Sequence, residues 1–280
     1  MKNSTRTFGI ELEIVGNLNS KFDIAAALNA AGVSCRVESY SHAVPSQWKL
    51  VNDASLRGSN AVELVSPPLA FTSENIATVR LVCETLTNMG VKVNSSCGFH
   101  VHVFAADLDA QALKNLVALF VRFEPQMDKL VPAARRATDW AASNLRNIAR
   151  TNSDEATLVA LSRIDATSGV NDLRNAQGGS RYMKLNLEPM LRQGTVEFRQ
   201  AAGTTNADKV VGWVALAVGM VTSAKRSKLV MSKSQFSFSK LLGRVDADFR
   251  PLLVARKAEL EAKERRAAAR VARLNGTSVA

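Results

Sequence analysis

Three short segments alternate apolar and polar residues with a period of two. They run through Ile10, Glu11, Leu12, Glu13 and Ile14; through Phe99, His100, Val101, His102 and Val103; and through Val196, Glu197, Phe198 and Arg199. Successive side chains of an extended strand point to opposite faces, so Glu11 and Glu13 share a face, as do His100 and His102, and Glu197 and Arg199. Each strand can bury its apolar face and offer carboxylates, imidazoles or a guanidinium on the other. A solvated strand face would explain any lone Glu-x-Glu, and a single strand histidine is commonly structural. Two of the chain's three histidines on one face of one strand are harder to dismiss.

With 280 residues, 46% hydrophobic and 22% charged, the chain is an ordinary globular sequence that can bury a sizeable core. Its net charge of +11 favours anionic partners: nucleotide phosphates, carboxylate substrates, nucleic acid or a membrane surface. Three cysteines (Cys35, Cys83, Cys97) make a disulfide framework improbable and fit a reducing compartment. The first residues, MKNSTRTFGIELEI, lack the apolar stretch of a signal peptide, and no apolar run reaches the roughly 18 residues of a membrane span. The expectation is a soluble, cytoplasmic protein without membrane association.

Between these strands the spacing predicts a helix over 22–31 stopped by Gly32, strands over 34–38 and 47–51, and a strand over 62–66 ended by Pro67 and Pro68. Glu63 then faces away from Val62 and Leu64, and Asp53 lies in the preceding turn, where holding its own backbone is the plain role. A helix over 73–89 ends at Gly90, and another starts at Asp109 and is disturbed by Pro125 and Pro132. Residues 133–180 read as a helical insertion, with helices over 139–150 and 154–164. Its arginines (Arg135, Arg136, Arg146, Arg150, Arg163, Arg174) form a solvated basic surface or a lid. RYMKLNLEP and GTVEFRQAAGT read as a hairpin turning near 191–194, with Lys184 and Asn186 on one strand face and Arg181 on the other. A strongly apolar helix spans about 206–222, short enough to be a buried core helix. The reading is one domain over 1–245 and a basic helical tail over 246–280, solvated or borrowed by a partner. Its interleaved Glu259, Glu261 and Glu264 disfavour nucleic acid.

The polar faces together hold Glu11, Glu13, Glu63, His100, His102, Glu197 and Arg199. Several carboxylates with one or two imidazoles suit a hard cation such as Mg²⁺ or Mn²⁺. An arginine among them suits phosphate. Cations bridging carboxylates to nucleotide phosphates are the usual means of neutralising charge in phosphoryl transfer, so the residues point to ATP chemistry.

The ordered motifs GIELE, DASL, ELVSPP, GFHVHV, RYMKLN and TVEFRQAAGT, over about 8–204, resemble the putative amidoligase family of carboxylate-amine ligases. The resemblance implies an α+β, glutamine-synthetase-like fold: a curved antiparallel sheet with helices on its outer face and the site on the concave face. It implies ATP-dependent amide formation through an acyl phosphate, with two or more Mg²⁺ or Mn²⁺ ions. By motif, Glu11 resembles a ligand of the metal nearest the transferred phosphate, and Glu13 and Glu63 ligands of a substrate-side metal. His100 resembles the imidazole joining Glu11 to Glu197, His102 a contact to ATP phosphate, and Arg199 the group stabilising the moving phosphoryl. Arg181 and Asn186 are implied contacts of phosphate or substrate, and Asp53 a residue that orients substrate or shapes the loop. Implied substrates are a carboxylate and an amine from an amino acid, peptide or protein side chain, and homo-oligomerisation is left open. Phosphoryl transfer to a guanidino or amine acceptor, metal-dependent hydrolysis or nuclease activity, and a non-catalytic basic binding protein are the competing readings.

Overall fold

The computed structural model describes residues 4–39 and 44–274. The sheet assembles around β1 (Ser4–Val15), which pairs antiparallel with β4 (Ala61–Val65), β5 (Leu69–Phe71) and β6 (Gly98–Phe104). Beyond β4 lie β3 (Trp48–Val51) and β2 (Cys35–Val37); beyond β6 lie β8 (Thr195–Ala202) and β7 (Leu185–Asn186). The order is β2-β3-β4-β1-β6-β8-β7, antiparallel except for the parallel β2–β3 pair, with β5 also on β1. The expected α+β class and antiparallel sheet are therefore present.

The period-two pattern explains which face is buried. Phe8, Ile10, Leu12, Ile14, Leu64, Phe99, Val101, Val103, Val196 and Phe198 are each at most 1% exposed. They merge into one core with the apolar sides of α2 (Ser73–Asn88), α3 (Ala110–Met127) and α7 (Ala207–Ala224). Burying each such side chain contributes about 1.5–3 kcal/mol relative to exposure, so the strands cannot turn over without losing the core. The helices start where side chains cap them: Thr72 accepts from Asn75 N, Asp109 from Ala112 N and Asn206 from Lys209 N. Gly90, at φ 74, ends the chain's exit from α2 in the left-handed region. Among the described residues α7 alone has the length and hydropathy of a membrane span, yet it is mostly buried, packed against α2, α3 and α9 (Arg250–Leu274).

Several local expectations are corrected. α3 includes Pro125 and ends two residues on at Met127, passing into a 3-10 turn over Asp128–Leu130. Pro67 and Pro68 end β4 as expected, but the chain re-pairs at once as β5 on the first half of β1. The first arm of the expected hairpin shrinks to the two residues of β7, since a 3-10 turn over Glu188–Leu191 replaces the tight connection. The insertion holds three helices, α4 (Asn144–Ala149), α5 (Ala156–Asp165) and α6 (Val170–Ala176). α4 starts late because Ser143 caps it, accepting from Arg146 N at 3.1 Å. After α1 (Lys21–Ala30) and the short α8 (Phe238–Leu242), α9 buries Leu253 and Leu260 along its weak apolar stripe. Residues 275–280 of the tail lie outside the described residues.

Candidate active site

The sheet face turned away from the core carries Lys49 on β3, Glu63 on β4, Glu11 and Glu13 on β1, His100 and His102 on β6, Glu197 and Arg199 on β8, and Asn186 on β7. Strand register makes neighbours of residues far apart in sequence. Glu13 stands opposite Glu63, Glu11 opposite His100, and His102 and Asn186 flank Glu197. The β6–β8 register shifts between Phe99 and Val101, so that Arg199 and Gln200 together oppose His100. Such a bulge re-aims side chains; here Phe198 and Ala201 both stay buried while Arg199 remains with Glu197.

His100 Nδ1 lies 3.1 Å from Glu11 Oε2 and 3.5 Å from Glu197 Oε1, and its Nε2 lies 3.7 Å from Glu13 Oε1. His102 Nε2 lies 3.3 Å from Glu11 Oε1 and 3.8 Å from Glu197 Oε1, while its Nδ1 is 3.2 Å from Thr195 Oγ1. Both imidazoles thus bridge the same two carboxylates. Glu197, buried, accepts from Asn186 Nδ2 at 2.7 Å and from Arg199 Nη1. Glu13 accepts from the backbone N–H of Gly98. A Cβ at Gly98 would stand 2.9 Å from His100 Nε2, 3.1 Å from Arg135 Nη2 and 3.3 Å from Glu13 Oε2, so a larger residue here would push against all three groups.

The carboxylates divide electrostatically. Burial favours a neutral Glu11, but the charge of His102 and hydrogen bonds from both histidines prevail and hold its carboxyl well below the usual range. Burial likewise disfavours a charged His102, yet Glu11 and Glu197 raise its pKa overall. Glu63 has no such relief: burial first, then Glu11, Glu13, Asp53 and Glu197, push it well above the usual carboxylate range. Three sets of ligand atoms lie within 4.8 Å of one another: Glu11, His102 and Glu197; Glu11, His100 and Glu63; Glu13, Asp53 and Glu63. Glu11 and Glu63 each belong to two sets. Oxygen-rich groups with an imidazole, crowded until their charges oppose each other, fit hard divalent cations.

Asp53 reaches the third set while its Oδ1 also accepts from Ser55 N at 2.8 Å, so its turn-holding role is real. Arg181 is exposed, ahead of β7, and donates to the Tyr182 hydroxyl at 2.8 Å. The Tyr182 ring in turn lies 5.9 Å from the Arg199 guanidinium. Two basic groups were not singled out from the sequence. Arg135, expected on a solvated surface, instead donates from Nη2 to the carbonyls of Ala201 at 3.0 Å and Arg199 at 3.3 Å. It sits in a 3-10 turn, Ala133–Arg135, where no periodicity signals burial. Lys49 is 2% exposed, 3.5 Å from Glu38 Oε2, and lines a cavity of about 210 Å³ with Glu11, Glu63, His102 and Thr195. The alternation Trp48, Lys49, Leu50 was its legible signal. Burial raises the Cys97 thiol, which accords with a structural residue and not a nucleophile.

A search of curated proteins finds no match. Among solved structures, a chain described as "Apo GmaS without ligand" matches over 99% of this chain and 71% of its own length, at 11% identity and a TM-score of 0.39. The family model described as "Putative amidoligase enzyme" matches residues 4–221. That span runs from the first strand of the sheet to the last and takes in every acidic, imidazole and guanidinium group of the site, so the chain belongs to the amidoligase family.

Proposed function

We propose that the protein is an ATP-dependent carboxylate-amine ligase, forming an amide or isopeptide bond through an acyl phosphate. The observation that carries this reading is the set of carboxylates and imidazoles, with Arg199 held against Glu197 in their midst. Mg²⁺ or Mn²⁺ would be held by Glu11, His102 and Glu197, by Glu11, His100 and Glu63, and by Glu13, Asp53 and Glu63. When bound, such ions neutralise phosphate oxygens and the charge that develops on them.

The chain's own residues supply position and charge. A substrate carboxylate oxygen attacks the γ-phosphorus, and the bond to ADP breaks. Arg199 faces the transferring group with a planar donor fork, and Glu197 fixes the guanidinium while Asn186 fixes Glu197. The amine nitrogen then attacks the acyl carbon, inorganic phosphate leaves, and the proton released from nitrogen passes to a carboxylate of the site. Lys49 adds a buried cation to the wall of the adjoining cavity, suited to a phosphate or substrate carboxylate. The substrates are a carboxylate and an amine carried by an amino acid, a peptide or a protein side chain.

The test is to incubate the protein with ATP, Mg²⁺ or Mn²⁺ and a pool of amino acids and amines, and to follow ADP, phosphate and condensed products by mass. ATP binding is measured separately, so that a protein-borne substrate is not mistaken for inactivity. If ATP is neither bound nor consumed, and Glu197→Ala changes nothing, the reading fails.

A further inference from the structure

A second cavity, about 480 Å³, lies on the core side of the sheet beneath α9, away from the carboxylates of the active site. Its walls are mainly apolar: Phe99, Leu130, Val131, Trp213, Leu253 and Leu260 line it, each buried. Apolar hollows of about 300–1,000 Å³ with a few placed polar groups are typical of small-molecule sites.

The rim carries the polar groups. Lys209, Arg256 and Lys263 line the cavity and converge on a single carboxylate, Glu259, at 3.2, 2.8 and 2.7 Å. The acids that also line it are engaged elsewhere, Asp208 with Arg80 and Glu264 with Arg136. Three cations sharing one anion leave the mouth electropositive.

The cavity also touches the segment that delivers Arg135 to the active site. Leu130, Val131, Pro132 and Ala133 form one wall. α9 grips this segment at two points: Arg256 Nε donates to the Leu130 carbonyl at 3.2 Å, and Glu264 pairs with Arg136. A molecule wedged between α9 and residues 130–133 therefore presses on the base of the Arg135 turn.

We propose that the cavity beneath α9 is a second binding site, for a small apolar carboxylate, and that its occupancy is transmitted to Arg135 through residues 130–136. The apolar body fills the space between Trp213 and α9, and the carboxylate meets Lys209 and Lys263 at the rim. An uncharged molecule of the same shape lacks the second contact.

The experiment needs neither ATP nor metal, so its result is independent of the ligase reading. Octanoate and 1-octanol are titrated by calorimetry, and backbone hydrogen exchange over residues 130–136 is followed with and without octanoate. Octanoate is expected to saturate one site and to bind about tenfold more tightly than octanol, the worth of one charge-assisted hydrogen bond. Ala267→Trp, at an exposed lining position on α9, should block both ligands, and Lys263→Glu should remove the preference for the acid while octanol binding persists. Exchange over 130–136 should slow in the octanoate complex. No saturable binding, equal binding of octanol, or binding unaffected by Ala267→Trp overturns the site. Unchanged exchange over 130–136 in the complex overturns the link to Arg135.

Discussion

Glu13 and Glu63 face each other directly across the β1–β4 pairing, two carboxylates in register on the polar face of the sheet. Like charges so placed cost stability, and burial of Glu63 adds to the cost. The pair is explicable as a cation site held ready at the expense of the metal-free fold. Glu63→Gln should therefore raise the stability of the metal-free protein at pH 8 by about 0.5–1 kcal/mol, and should abolish most of the rise in Tm that Mn²⁺ gives the wild type. Thermal unfolding in EDTA and in Mn²⁺ checks both halves; a metal-free variant that melts below the wild type would sink the idea.

The same group sets a pH dependence. Glu63 is raised above its ordinary value of 4.5 in the folded protein, so the native state binds more protons than the unfolded chain above that pH. Stability is then full below about pH 4.5 and falls as pH rises through the folded value. His102, also raised, acts in the same direction above its ordinary 6.5, whereas Glu11, held low, contributes stability that is lost only as pH falls below 4.5. Urea midpoints of the metal-free protein should decline from pH 5 to pH 8. The decline should be shallower in Glu63→Gln, with the His102 part remaining.

The sheet and its acidic and imidazole groups were legible because alternation is a local property: Leu12, Val101 and Phe198 could go only to the core, which fixed where Glu11, His100 and Glu197 point. Lys49 was equally legible, since Trp48 and Leu50 flank it. The break in period at Arg199 and Gln200, two polar residues between Phe198 and Ala201, was a trace of the bulge. Arg135 left no such trace. What holds it at the site is a pair of carbonyls on β8, 64 and 66 residues further along the chain, and neither side chain nor spacing announces them. The brevity of β7 was hidden in the same way, because the 3-10 turn at Glu188–Leu191 competes with a strand pattern that looked continuous.

Gly98 gives a test of the site's close packing. Gly98→Ala places a methyl group 2.9 Å from His100 Nε2 and 3.1 Å from Arg135 Nη2, and both must shift to admit it. Displacing groups that orient metal ligands typically lowers metal affinity about 10–100-fold. Mn²⁺ titration followed by electron paramagnetic resonance should show a loss in that range. Wild-type affinity in Gly98→Ala would show that the placing of His100 and Glu13 by this close packing does not matter to cation binding.

Arg199 distinguishes binding from chemistry. A guanidinium aimed at a transferring phosphoryl group is worth about 10³-fold or more in turnover, and lysine keeps the charge but not the fork. Arg199→Ala should reduce ADP release about 10³-fold with a smaller change in KM for ATP, and Arg199→Lys should recover only part of it. Because Arg199 also neutralises buried Glu197, Tm is recorded alongside. Wild-type turnover in Arg199→Ala would remove this residue from the chemistry.

Behind the site a second ionic group holds the insertion to the core. Lys184, 1% exposed, places Nζ 3.0 Å from Glu124 Oε1 and 2.6 Å from Asp128 Oδ1. Gln200, beside Arg199 at the bulge, donates to the same Asp128 oxygen, and the Asp128 carbonyl accepts from Arg136 Nε at 2.8 Å. The cluster thus ties α3 and the turn bearing Arg135 to β8. Lys184→Met leaves two acids facing each other without their cation, and breaking a buried pair from one side costs about 3–5 kcal/mol. Glu124→Gln keeps the acceptor that Leu145 N uses at 2.9 Å and removes one charge. The double variant Lys184→Met/Glu124→Gln should therefore be more stable than Lys184→Met alone, measured as urea midpoints. If the second substitution deepens the loss instead, repulsion between Glu124 and Asp128 is not what Lys184 relieves.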